Sequence, residues 1–173
     1  MKYERIWSRP ERRSLQMGMC LALGISVLTA CGSGEARLAD LTPEQIELKQ
    51  KIDARRMNFQ DLGAAFKAVG DELKAGRADS PTVQFSVDAV SRYAGQISGW
   101  FPEGSGPESG FKTDALPAIW EKPDEFAALL TEFEKSVELF SQASQAGDAP
   151  GIQSNFQLVG SQCASCHEKF RKE

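Results

Sequence analysis

From Thr42 onward the only strong periodicity in this chain is helical, and no stretch alternates apolar and polar residues as a half-buried strand would. That single restriction decides the fold class. A first segment opens at Thr42-Pro43-Glu44-Gln45, a capping hydroxyl followed by proline at the first helical position and a glutamine three residues after the cap. Its apolar stripe runs Leu48, Ile52, Phe59, Leu62, Phe66, Val69, Leu73, with Arg55 in the same line, and Gly76 closes it. A second begins at Ser80-Pro81, carries Val83, Val87, Val90 and Ile97, and ends at Gly99. A third starts at Pro123 and repeats Phe126, Leu130, Phe133, Val137, Phe140 at four and three, a bundle seam. The fourth follows Gly147-Asp148 with Ile152, Phe156, Val159, Cys163 and Phe170 on one side. Mostly short turns between single-striped helices predict an all-α, antiparallel up-down four-helix bundle.

The exception is the long loop between the second and third helices, residues 99–122, with six glycines or prolines between Gly99 and Gly110. Long irregular connections in small domains are often functional. This one carries Trp100, Phe101, Phe111, Leu116, Ile119 and Trp120, so it is expected to pack on the bundle.

At 173 residues the chain has room for one ordinary domain, and 41% hydrophobic residues suffice for a core. A net charge of -4 argues against a nucleic-acid partner, which would want a basic face. The charge is uneven: residues 1–30 hold five Lys/Arg against Glu4 and Glu11, while Ser14 to Gly34 carries no charged side chain. A basic start and a short apolar core from Leu21 to Leu28 form a secretory signal pattern. Its end, Leu28-Thr29-Ala30-Cys31, resembles the lipobox of bacterial lipoproteins, which implies cleavage before Cys31 and acylation of its thiol. The expected organisation is a signal peptide at 1–30, a tether at 31–41 and the bundle at 42–173. The alternative is an uncleaved anchor, but Ser14, Gln16, Ser26 and the glycines weaken such a helix. A lipidated chain would face the periplasm. Gly32, where an inner-membrane retention aspartate would stand, leans toward the outer membrane.

The chemistry sits in Cys163-Ala164-Ser165-Cys166-His167, a C-x-x-C-H, the attachment signature of c-type haem. Helical residues three and four apart share a face, so both thiols and the imidazole converge on one edge of a single haem c. The sulfurs form thioethers and His167 is the metal ligand. A thioredoxin-like pair wants a helix N-terminus in an α/β context, and this motif lies near the end of the last helix. A zinc site wants four ligands, and the other cysteines are Cys20, inside the signal, and Cys31. A plain disulfide would leave His167 unexplained.

His167 is the only histidine, so bis-histidine ligation within the chain is excluded. Met1, Met17 and Met19 belong to the leader, leaving Met57 as the one methionine able to take the sixth position. At 3.6 residues per turn Met57 lies about 160° from Phe59, facing away from the stripe shared by Arg55, Phe59, Leu62 and Phe66. Phe59 faces inward and cannot ligate iron.

With these residues in hand the chain resembles the cytochromes c′, class II c-type cytochromes that carry haem near the C-terminus of a four-helix bundle. The likeness spans about residues 43–173. It includes Arg55-x-x-x-Phe59, Trp100-Phe101-Pro102-Glu103-Gly104-Ser105, Pro117-Ala118-Ile119-Trp120 and Arg171, four residues past His167. The resemblance implies that Phe59 covers the vacant iron face, that Arg55 sits by the haem propionates, that Trp120 lies against the haem pocket, and that Arg171 stands near the axial histidine. The lipobox departs from the family's soluble members.

The expected function is a five-coordinate high-spin haem protein that binds nitric oxide or carbon monoxide and carries single electrons, not an enzyme, since no second polar catalytic group accompanies the motif. Two alternatives stay open: a low-spin electron carrier with Met57 as sixth ligand, and a haem subunit docked on a membrane redox complex. Expected partners are the gases, redox proteins, the membrane through the N-terminal lipid, and a second copy of the chain through its first two helices.

Overall fold

The computed structural model describes residues 40–172; the expected signal peptide, Cys31 and most of the tether lie outside them. The described residues form helices α1 (Pro43–Lys74), α2 (Pro81–Ala94), α3 (Ala118–Glu121), α4 (Pro123–Gln145) and α5 (Ala149–Phe170), with 3-10 turns at Ile97–Trp100 and Pro107–Ser109. There is no strand among them, only an isolated antiparallel bridge between Ala115 and Arg171. None of these helices is long and apolar enough to cross a membrane.

Local chemistry sets the boundaries. At α1 the capping box forms: the Thr42 hydroxyl accepts from the Gln45 N–H at 3.3 Å, and the Gln45 side chain accepts from the Thr42 N–H at 2.9 Å. Gly76 ends the helix in the left-handed region, φ 71°, a conformation glycine adopts without steric cost. Ser80 caps α2 through the Val83 N–H. The second helix stops earlier than its stripe suggests. The α-helix ends at Ala94, and Ile97, expected on it, lies on the following 3-10 turn. Gly95, a poor helix former, marks the change, and the tighter turn redirects the chain toward the long connection.

That connection is not structureless. Besides its entry turn it holds the Pro107–Ser109 turn and one-turn helix α3, and it buries Ser105 and Ile119. Trp100, Phe101, Ala115 and Trp120 pack against the core.

α1 lies along α2, α2 against α4, and α4 along α5, the short connections making the α1–α2 and α4–α5 pairs antiparallel. The α4 stripe is buried as patterned, from Phe126 through Leu130, Phe133 and Val137 to Phe140. It meets Val83, Val87 and Val90 of α2 and Ile152 and Val159 of α5 in one apolar core. α1 and α5 touch over only a short stretch. There Phe66 and Phe156 stack, centroids 4.3 Å apart and 13° from parallel. The approach needs Gly70, where a Cβ would stand 2.9 Å from the Phe156 ring tip. Beyond this stack, toward the start of α1 and the end of α5, the space between the two helices is a cavity.

Candidate functional site

The cavity has a volume of about 440 Å³, within the roughly 300–1,000 Å³ usual for small-molecule and cofactor sites. Phe59, Leu62, Gly63 and Phe66 of α1 form one wall; Cys163, Cys166, His167 and Phe170 of α5 form the facing one. Ile119, Phe126, Leu130 and Phe133 close the back, and Phe101 and Thr113 of the long connection lie at the rim near Arg55. The lining is mostly apolar, and its polar members include Arg55, Arg56, Gln60, Gln162 and Arg171.

α5 delivers the motif in its last two turns. Cys163 and Cys166 are half-buried free thiols, with no disulfide between them. Burial, with a smaller contribution from Cys166, pushes the Cys163 thiol up to about 11, and burial raises Cys166 as well. Both therefore stand protonated at neutral pH. His167 has its pKa lowered, first by desolvation and second by the Arg171 guanidinium, so the neutral, ligating form is favoured. Among the described residues no group of three or more His, Cys, Asp or Glu is placed to hold a bare metal ion. One imidazole and two thiols on the wall of an apolar slot fit a haem c, whose iron arrives already held by its macrocycle.

Arg55 is the best-buried charge in the domain, 3% exposed. Its Nη1 donates to the Trp100 carbonyl at 3.3 Å and the Ser105 hydroxyl at 3.0 Å. Its Nη2 donates to the Ser105 carbonyl and the Thr113 hydroxyl, both at 2.9 Å. The guanidinium also lies 4.6 Å above the Phe101 ring centroid, a cation–π contact. Burial pulls its pKa down, and Glu108 pulls the other way. All four acceptors are neutral, so the cation is solvated by the connection rather than paired with an acid.

The aromatic residues occupy two layers. Phe59 and Phe101 line the cavity. Trp120 does not: its indole N–H donates to the carbonyls of Phe101 and Pro102, at 3.3 and 3.2 Å, and its ring backs Phe101 at 6.2 Å. Arg171 is on the lining, and its backbone N–H donates to the His167 carbonyl at 3.0 Å. On either side, Leu116 N–H donates to the Phe170 carbonyl and Lys172 N–H to the Asp114 carbonyl, strapping the chain end beside His167. Met57 is outside the lining, 57% exposed. Sequence reasoning gives no cavity role to Phe101, and it misses Ser105 and Thr113 as acceptors for Arg55. Phe101 carries a signal, an aromatic beside Trp100 in a Gly/Pro-rich stretch; Thr113 carries none.

The family model described as Cytochrome C' matches residues 50–171. Among relatives, a cytochrome c-554 of Cereibacter sphaeroides is 38% identical over 73 residues, 42% of this chain and 54% of that protein. The chain thus spans about half the length of that relative. A cytochrome c' of Pararhodospirillum photometricum is 30% identical over 115 residues, 62% of this chain and 90% of that protein. In fold, the chain is similar to a nitric oxide complex of a cytochrome c prime variant from Alcaligenes xylosoxidans, with TM-score 0.64, 21% identity, and 73% of this chain and 97% of that chain covered.

Two outcomes follow from this geometry. Arg55→Ala strands the buried acceptors of Ser105 and the half-buried hydroxyl of Thr113, and bonds to charged groups are worth about 1.5–3 kcal/mol each. The loaded variant should lose at least that much in a urea titration and be cut faster by protease between residues 101 and 117. Unchanged values would mean that apolar packing alone holds the connection. The second concerns pH. A folded imidazole with a lowered pKa contributes stability that is complete above its ordinary value of about 6.5. That contribution is lost as pH falls through the lowered value. Arg171→Gln removes the second cause, so the His167 pKa should rise and the acid limb of the stability of the haem-free chain, read by urea titration across pH, should end at higher pH. An unmoved acid limb would show that the guanidinium does not act on His167.

Proposed function

Because the chain belongs to the cytochrome c′ family and so carries haem c covalently, we propose that its iron is five-coordinate, binds nitric oxide or carbon monoxide, and passes single electrons. The observation that carries this reading is that Phe59 lines the cavity while Met57 faces solvent. Cys163 and Cys166 would hold the ring by thioethers, and His167 would supply the iron with an imidazole nitrogen. Bound haem supplies an iron that alternates between ferric and ferrous states and offers a coordination position to a diatomic gas. The chain's own residues decide which gas is retained. The phenyl ring of Phe59 lines the wall across the cavity from His167 and offers no hydrogen bond, so dioxygen, which needs a polar partner, would not be stabilised by it. Nitric oxide and carbon monoxide bind without such help, provided Phe59 yields. The nitric oxide complex of the Alcaligenes xylosoxidans protein supports that choice of gas. Arg55, a buried cation without a directly bonded acid, suits the carboxylates of the haem propionates.

We read the protein as a carrier and gas binder rather than an enzyme, acting in the periplasm and held to a membrane, the outer one by preference, through acylated Cys31. A second copy is read as packing on the outer side of α1 and α2, where Phe85 is 75% exposed. Redox partners complete the list.

Ferric and ferrous absorption spectra of the purified protein, with and without nitric oxide, test the central claim. A high-spin spectrum that changes with the gas is expected, together with faster carbon monoxide binding in Phe59→Ala. A split low-spin spectrum indifferent to gas and altered by Met57→Leu would make this a six-coordinate electron carrier instead. Intact mass and sedimentation of the loaded protein test the rest. A mature chain still carrying Met1 rules out the lipid anchor, and a monomer at all concentrations rules out the pairing.

A further inference from the structure

The cavity wall explains what Phe59 covers but not what holds it there. Phe59 packs against Trp100. Its ring meets the Phe59 ring edge-on, centroids 4.9 Å apart and planes at 87°. Trp100 is not on the lining itself. Phe101 flanks the same phenyl ring at 6.1 Å. The space into which Phe59 could retreat is therefore already occupied.

Trp100 is in turn fixed from two directions. Its carbonyl accepts from Arg55 Nη1. Its ring meets that of Tyr93 at 6.2 Å and 67°, and the Tyr93 hydroxyl donates to Asp61 Oδ2 at 3.1 Å. Both tethers originate on α1, at residues 55 and 61, on either side of residue 59 in the same helix. Phe59 and the indole packed against it are therefore both tied to α1.

We propose that Trp100 is the positioning residue for the gas gate: it sets how far Phe59 can swing and thereby the rate at which a diatomic ligand enters. The inference rests on the reading of Phe59 as the gate. A ligand entering beside Phe59 must press it toward Trp100, so the barrier includes loss of the favourable edge-to-face geometry and compression against a close-packed ring. Shrinking Trp100 removes both. Because Trp100 acts only through Phe59, its effect vanishes once Phe59 is small.

The experiment is a double-mutant cycle on carbon monoxide association, measured by stopped flow on the ferrous haem-loaded protein, with Phe59→Ala, Trp100→Ala and the double variant. Phe59→Ala and Trp100→Ala should each accelerate binding roughly tenfold. The double variant should be no faster than Phe59→Ala alone. Acceleration by Phe59→Ala with an unchanged rate in Trp100→Ala overturns the role of Trp100 and leaves the gate intact. Equal acceleration by Trp100→Ala in both backgrounds overturns it too, by showing a route independent of Phe59. No effect of Phe59→Ala removes the gate and with it this proposal. If Trp100→Ala fails to load haem, Trp100→Phe decides: a rate between those of the parent and Phe59→Ala supports the role, and the parent rate refutes it.

Discussion

The arrangement depends on a charge where helix patterning asks for an apolar side chain. Arg55 lies in the inward stripe of α1, and a buried guanidinium is tolerated only if its donors are satisfied. Its surroundings supply two hydroxyls and two carbonyls, all from residues 100–113. The need to solvate one cation thus draws an otherwise irregular segment onto the end of the bundle. Phe101 arrives under the guanidinium, Trp120 backs Phe101, and Trp100 reaches Phe59. The rim of the cavity, its floor beside Phe59 and the route of the connection all derive from this one demand.

The cavity itself comes from unequal helix contact. The other neighbouring pairs of long helices pack along one another, whereas α1 and α5 are pinned at Phe66, Gly70 and Phe156 and leave room beyond. Glycine at 70 permits close approach at the pin, and the motif of α5 lies on the open side. A slot bounded by two helix faces, one with an apolar ring and the other with two thiols and an imidazole, presents different chemistry to the two faces of a flat macrocycle. On the proposed reading, control of gas entry and ligation of the iron would be served by separate elements.

Much of this is legible in the chain. Periodicity alone locates the four long helices, because burial acts on whole stripes, and the four-and-three spacing from Phe126 to Phe140 gathers on one side only when wound as a helix. The same phase puts Met57 on the outside of α1, and the five-residue motif names the cofactor. The connection resists for physical reasons. Its path follows side-chain bonds to residues far away in sequence, and such bonds leave no period. Arg55 in an apolar line signals that acceptors must exist, yet nothing distinguishes Thr113 from any other threonine. Aromatic residues in series pose a related difficulty. Trp100, Phe101 and Trp120 read alike as packed, while only Phe101 reaches the cavity. The end of α2 escapes the pattern because Ile97 keeps apolar phase after the backbone has tightened into a 3-10 turn.

The short Phe66–Phe156 junction has a consequence for the life of the chain before its cofactor is attached. With α1 and α5 joined directly over so little length, a group filling the slot between them would add cohesion that the two helices do not give each other. A chain without haem holds α1 by α2, by the Arg55 bonds to the connection and by one aromatic stack, and local opening there would expose a long amphipathic helix. A protease that samples open states then meets the unloaded chain far more often than the loaded one. Filling the slot would then also protect the chain, so that proteolysis would leave a population enriched in loaded protein.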